Sequence, residues 1–335
     1  MAPIVELRNV SKFFGSGPSR TVALDDMTFS VDEDFAKIVT IAGESGSGKT
    51  TILMLLLGFY DPSLGSVMYR GKDLRKLDKD DTVDFRRNVQ AVFQDPFAVY
   101  NPFYKVDNLL SIPIKNFKIA KGKEESRHLM ETALTRVGLR PEETLGRFPH
   151  QLSGGQRQRI AVARALILKP KILLADEPVS MVDASLRATL LKQIRDLNQE
   201  LQIPILYITH DLTTSYHVSD YIIVLYHGSV MEAGNVEEVI RSPKHPYTKL
   251  LVNSIPWPDP NMLWGATAEE VKGKAAEFGT HACKFTNRCP HAFEPCYKEQ
   301  PDLFRTNKGT QVAACFLFQG SETLAKDKLG TLFTK

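Results

Sequence analysis

The chain opens with short stretches in which apolar and polar residues alternate. Residues 5–8 and 27–31 follow the period of two that suits a half-buried strand, and residues 13–18 between them read as a turn. Residues 37–42 are mostly apolar, as in a buried strand, and a glycine-rich loop follows at 43–48. Residues 50–57 have helical character and stop at Gly58, a residue suited to close a helix. Strand, glycine loop and helix make half of a βαβ unit. From about 95 to 165 strong strand runs are missing and charged helical stretches such as 122–137 take over, so an inserted helical subdomain is expected. Residues 171–175, 205–209 and 221–225 then read as further buried strands. Between the first two, Leu186, Leu190, Ile194, Leu197 and Leu201 recur at spacings of four, four, three and four, one apolar face of a helix. This alternation predicts a largely parallel sheet covered by helices. Beyond residue 240 the texture changes. Pro243, Pro246, Pro256, Pro258 and Pro260 interrupt the pattern, with Trp257 and Trp264 nearby, so two regions are expected, 1–240 and 241–335.

Composition narrows the classes. The length, 335 residues, suits about two domains with a sizeable core. Hydrophobic residues make up 43% and charged residues 24%, which is globular rather than disordered composition. With 42 Lys and Arg against 39 Asp and Glu the net charge is +3, too balanced to mark a nucleic-acid binder. The apolar run 52–57 has six residues, and no stretch approaches the roughly 18 that a membrane span needs. The first residues show no basic stretch leading into an apolar one, so no signal peptide is expected. All four cysteines, Cys283, Cys289, Cys296 and Cys315, fall in the last 53 positions. Without a signal peptide, that clustering points to a metal or cluster site more than to disulfides.

Two segments carry the chemistry. Gly43-Glu44-Ser45-Gly46-Ser47-Gly48-Lys49-Thr50 fits G-x-x-x-x-G-K-[ST]. In such a loop successive backbone N–H groups converge on phosphate, and the following helix turns its positive end toward the same anion. Lys49 supplies a cation for the β- and γ-phosphates and Thr50 a hydroxyl for Mg²⁺, with Thr51 beside it. Farther on, the apolar residues 171–175 deliver Asp176 and Glu177 to the end of a strand, where ligands bind in parallel sheets. Asp176 suits Mg²⁺, and Glu177 is placed to orient or deprotonate an attacking water.

Leu152-Ser153-Gly154-Gly155-Gln156, ahead of a helix rich in Arg and Ala, match the signature of ATP-binding-cassette ATPases, which the chain resembles over residues 4–240. The resemblance implies an α/β P-loop NTPase fold of this type, with an antiparallel β-subdomain, an inserted helical subdomain and a small C-terminal cysteine-bearing tail. It implies that Phe14 stacks on adenine, although Phe13 competes for that role. Gln94 would sense Mg²⁺ and face a membrane partner, and His210 would contact the γ-phosphate. It further implies that Ser153, Gly154, Gly155 and Gln156 close over ATP held by an opposite subunit. Asp183 keeps a dimer contact, although Met181 and Val182 depart from the Ala-Leu usual there. With one P-loop, a second ATPase chain, related or identical, is required.

Residues 241–251, from Arg241-Ser242-Pro243-Lys244-His245-Pro246-Tyr247 onward, together with Asp95-Pro96-Phe97-Ala98, resemble the oligopeptide/dipeptide importer branch of that family. The resemblance implies two permease subunits, an extracytoplasmic solute-binding protein, no nucleic-acid partner, and a peripheral place on the cytoplasmic face of the inner membrane. Residues 94–105, with Phe97, Tyr100, Phe103 and Tyr104, are the expected permease surface; packing inside the helical subdomain is the alternative for each ring. Oligosaccharide or nickel import, and a soluble ATPase acting on nucleic acid, are the competing functions. Members of the branch often bind a [4Fe–4S] cluster, which the resemblance implies for the four cysteines. Their intervals of five, six and eighteen residues lack the tight pair of most zinc sites and depart from ferredoxin spacing. His281 and His291 are substitute ligands, and buried free thiols are the remaining reading.

Overall fold

The computed structural model describes residues 2–95, 100–180, 182–255, 282–306 and 310–333. The chain divides into two compact units: Met1–Ile4, Asp32–Ile38 and Tyr69–Ile208 form one; Val5–Val31, Val39–Met68 and Thr209–Lys335 form the other.

In the second unit the antiparallel strands Val5–Phe14 and Thr21–Val31 pair from Val5 opposite Val31 to Phe14 opposite Thr21. The register shifts three times between Leu7 and Phe13. Each shift flips the faces of the strand, so the alternation is clean only at the ends, and the strand runs through Phe14 where the sequence reads a turn. The strand Ile38–Ala42 is buried at every residue and pairs in parallel with Tyr221–Tyr226, Val39 opposite Tyr221 and Ala42 opposite Val224. Ile222, Ile223, Val224 and Leu225 are fully buried, each side chain contributing about 1.5–3 kcal/mol by leaving water. Ser229–Asn235 returns antiparallel to this strand. The C-terminal segment then extends the same sheet. Val312–Ala313 pairs with Ser229–Asn235, Leu303–Arg305 with Val312–Ala313, and Thr323–Leu324 with Leu303–Arg305, all antiparallel.

The first unit holds three parallel strands, Val89–Val92, Ile172–Asp176 and Ile205–Thr209, with Val92 opposite Ala175 and Asp176 opposite Ile208. The expected helical insertion is present as Val106–Asn116, Lys123–Arg136 and Gly154–Leu166, which pack on one another. The helix Ala184–Leu201 buries Leu190, Leu191, Ile194 and Leu197, while Leu186 at its start is exposed. The helix Lys79–Asn88 has no counterpart in the sequence reading: only Phe85 and Asn88 are buried on it, too few to make a stripe. Among the described residues no helix is long and apolar enough to cross a membrane.

Candidate active site: the phosphate loop and its supports

The loop that follows Ile38–Ala42 is shaped by its glycines. Gly43 has φ +155°, and a Cβ there would stand 2.3 Å from the Leu225 carbonyl oxygen. Gly48 has φ +104°, and its Cβ would stand 2.5 Å from the Ala23 carbonyl oxygen. No L side chain fits either place. At Gly46, φ +78°, a Cβ would meet nothing within 4 Å, so the loop is open on that side. Ser45 and Thr50 are exposed, Thr51 half-buried and Ser47 buried. The Ser47 carbonyl accepts the Gly228 N–H at 2.9 Å, tying the loop to the turn after Tyr221–Tyr226. Lys49 is buried and its Nζ donates to the Gly43 and Glu44 carbonyls at 2.7 and 2.8 Å. The helix Lys49–Leu56 follows and ends as expected: Gly58, at φ +68°, donates to the Leu55 carbonyl and Phe59 to that of Met54, the paired bonds of a glycine helix stop.

The residues that hold this loop come from the C-terminal region, and the sequence reading missed them. The Tyr247 hydroxyl accepts the Glu44 N–H at 2.9 Å. Arg288 donates through both terminal nitrogens to the Glu44 carboxylate, at 2.8 and 2.9 Å, and this hydrogen-bonded pairing holds the Glu44 carboxyl below its ordinary range. Lys284 Nζ donates to the His227 carbonyl at 2.8 Å and pairs with Asp25 at 3.0 Å. Tyr247 is placed by a local device. His245 precedes the helix Pro246–Asn253, and its Nδ1 accepts the Tyr247 N–H at 3.0 Å. The fully buried Glu232 carboxylate accepts the N–H groups of Lys244 and His245 at 2.9 and 2.8 Å and the Gln311 amide at 2.6 Å. Burial pushes the Glu232 carboxyl up and the His245 imidazole down to about 3. So Lys244-His245-Pro246-Tyr247 is a strut from a buried carboxylate to the phosphate loop.

In the first unit the parallel registers bring Gln94, Asp176 and Glu177 to one edge of its strands. Gln94 is exposed two residues beyond Val92, and Asp176 is buried at the end of its strand. Glu177 has φ +43°, unusual for a non-glycine residue. Its N–H donates to the Ile208 carbonyl at 2.8 Å, and Ser180 donates back to its carbonyl, so the conformation is held from both sides. Asp183 is exposed and starts the helix Ala184–Leu201 without capping it through its side chain. Ser153 and Gln156 cap the helix Gly154–Leu166 reciprocally: Ser153 Oγ accepts the Gln156 N–H at 3.2 Å, and Gln156 Oε1 accepts the Ser153 N–H at 2.9 Å. The Ser-x-x-Gln spacing is the sequence sign of this capping box.

His210, exposed, follows Ile205–Thr209. Phe14 is exposed and meets Tyr60 edge-on at 5.5 Å, whereas Phe13 is covered by the Arg20 guanidinium at 3.6 Å. Of the aromatic residues expected at the permease surface, Tyr100 turns inward and donates to the Arg157 carbonyl at 2.8 Å, while Phe103 and Tyr104 are 86% and 55% exposed. Phe97, Met181, Trp257, Trp264 and His281 lie outside the described residues.

The [4Fe–4S] cluster and metal binding expected at the cysteines are not supported. Among the described residues no group of three or more His, Cys, Asp or Glu side chains is arranged to hold a metal ion. Cys283, Cys289, Cys296 and Cys315 are free thiols that line one small pocket with Phe285 and Phe316. Cys283 and Cys289 pack against the apolar cluster of Tyr226, Tyr247 and Phe285. Burial pushes the thiols of Cys283, Cys289 and Cys315 up, the last to about 11.

A family model described as ABC transporter matches residues 24–180, and one described as oligopeptide/dipeptide transporter, C-terminal region, matches residues 231–296. YkfD of Bacillus subtilis is 37% identical over 327 residues, 97% of this chain and 98% of its own length. OppF of Escherichia coli, named an oligopeptide transport ATP-binding protein, is 34% identical over 300 residues, 89% of each chain. Among solved structures, the dimeric ATP-binding cassette MJ0796 bound to ADP and Pi is 31% identical, with a TM-score of 0.62 over 69% of this chain and 98% of its own. The glycine-shaped loop at residues 43–50 and the Lys-His-Pro-Tyr strut fall one in each matched region, and the chain belongs to the ABC transporter family as an ATP-hydrolysing subunit with the oligopeptide/dipeptide type of C-terminal region.

Proposed function

We propose that this chain powers the import of di- or oligopeptides, docked on two membrane permease subunits at the cytoplasmic face of the membrane, with an extracytoplasmic solute-binding protein choosing the cargo. The observation that carries this reading is the C-terminal region of oligopeptide/dipeptide type, matched over residues 231–296 and joined through Tyr247 to the phosphate loop. Exposed Phe103 and Tyr104 suit an apolar permease helix. Phe14, partly exposed with the Lys12 ammonium over its ring at 5.2 Å, takes adenine, and Gly43 with Ser45 through Thr51 takes the phosphates. Thr50, Gln94 and Asp176 are the residues that would hold Mg²⁺, which would supply positive charge to offset that of the phosphates. Glu177 orients the attacking water and His210 donates to the γ-phosphate. Ser153, Gly154, Gly155 and Gln156 close on ATP held by a second ATPase chain, related or identical, with Asp183 at the dimer contact.

The test is Glu177→Gln in the assembled transporter. ATP binding is retained, turnover falls by about 10²–10⁴-fold, and the closed dimer accumulates on sizing columns. Wild-type turnover would refute the role of Glu177. ATPase activity that responds to DNA, and not to permeases with a peptide-loaded binding protein, would refute the transport reading.

A further inference from the structure

The phosphate loop contains an acid where it receives an anion. Glu44 is half-buried, its carbonyl is one of the oxygens that hold Lys49 Nζ, and its carboxylate is a like charge for any triphosphate on the loop. Arg288 meets that carboxylate with two parallel hydrogen bonds and also reaches the Tyr226 hydroxyl at 3.4 Å. Its guanidinium lies over the rings of Phe285 and Tyr226, at 5.6 and 5.7 Å. Glu44 is thus held at three points: side chain by Arg288, N–H by Tyr247, carbonyl by Lys49. Two of the three holders lie more than 200 positions away in the chain.

We propose that Arg288 is a positioning residue for ATP, which neutralises Glu44 and, with Tyr247, holds the Lys49 anchor, so that triphosphate binds tightly only when the C-terminal segment is seated on the loop. The inference rests on the assignment of residues 43–50 to the phosphates. A bidentate pair both removes the repulsive charge and fixes where the peptide of Glu44 points. Lysine at 288 would supply the charge without the fork.

The experiment measures mant-ATP affinity of the full chain at low and high salt, and KM and kcat for ATP in the assembled transporter. R288A weakens nucleotide binding about fivefold at low ionic strength, and the gap narrows at high salt, because the repulsion is screened. KM rises while kcat stays within about twofold, the mark of lost ground-state binding. R288K falls between R288A and wild type. E44Q/R288A returns to within about twofold of E44Q, because the charge that Arg288 opposes is gone. E44Q alone binds more tightly at low salt, and R288K, which keeps the charge but loses the fork, reads the role of Arg288 even if R288A fails to fold. Equal affinity in wild type and R288A, or a double variant as weak as R288A, overturns the role of Arg288. No mant-ATP binding by the wild type overturns the reading of the loop itself.

Discussion

The phosphate loop and the signature loop look alike in sequence, since each is glycine-rich and each opens a helix. They are built differently. At the phosphate loop no side chain caps the helix, and positive φ values at Gly43, Gly46 and Gly48 shape the backbone itself. Its supports come from far along the chain, through Tyr247 and Arg288. At the signature loop Ser153 and Gln156 satisfy the helix start between themselves. Gly155 has room for a methyl group, with its nearest neighbours, Leu186 and Val182, at 3.5 Å. One loop therefore needs glycine in order to fold. The other folds without needing glycine at position 155.

Substitutions can break that contrast. Gly43→Ala has the largest expected effect: a Cβ at 2.3 Å from a backbone oxygen costs about 3 kcal/mol or more, read by urea denaturation, and mant-ATP binding is lost with it. Next comes acid, which acts on the strut behind the phosphate loop through His245. The His245 imidazole titrates at about 3 in the fold and near 6.5 when unfolded. The unfolded chain therefore binds more protons between those values, and stability is full above pH 6.5 and declines toward pH 3. The slope is at most about 1.4 kcal/mol per pH unit, seen as a falling melting temperature between pH 6.5 and 5. Glu232, raised by burial, acts with the opposite sign, so the comparison is with His245→Asn. That variant keeps an acceptor for the Tyr247 N–H but does not titrate, and its decline is shallower. The smallest effect is Gly155→Ala, which stabilises the fold by about 0.5–1 kcal/mol through helix propensity yet lowers ATPase turnover in the assembled transporter. Unchanged turnover would remove the functional reason for that glycine.

Much of the active region is legible residue by residue because its determinants are local. Gly58 closing a helix and the apolar residues 37–42 and 171–175 act within one turn or one strand, and the positive φ values at Gly43, Gly46 and Gly48 fall within one loop. Legibility fails where pairing interrupts the pattern. Three register shifts hide the strand Val5–Phe14 behind broken alternation. The helix Lys79–Asn88 buries two residues and so leaves no stripe. Cysteine spacing misleads for another reason: four thiols near one another in sequence read as a ligand set, but in the fold they line a small pocket with Phe285 and Phe316.

The sequence alone determined the family, through the loop at 43–50, the Asp176-Glu177 pair and the signature at 152–156, because each is a short segment whose chemistry is carried by neighbours in the chain. Only the tertiary structure decided what the C-terminal region does. Its three strands extend the sheet, and Arg288 finds Glu44 across 244 positions. No local propensity encodes such a contact, because its partners are far apart in the chain and meet only through the fold.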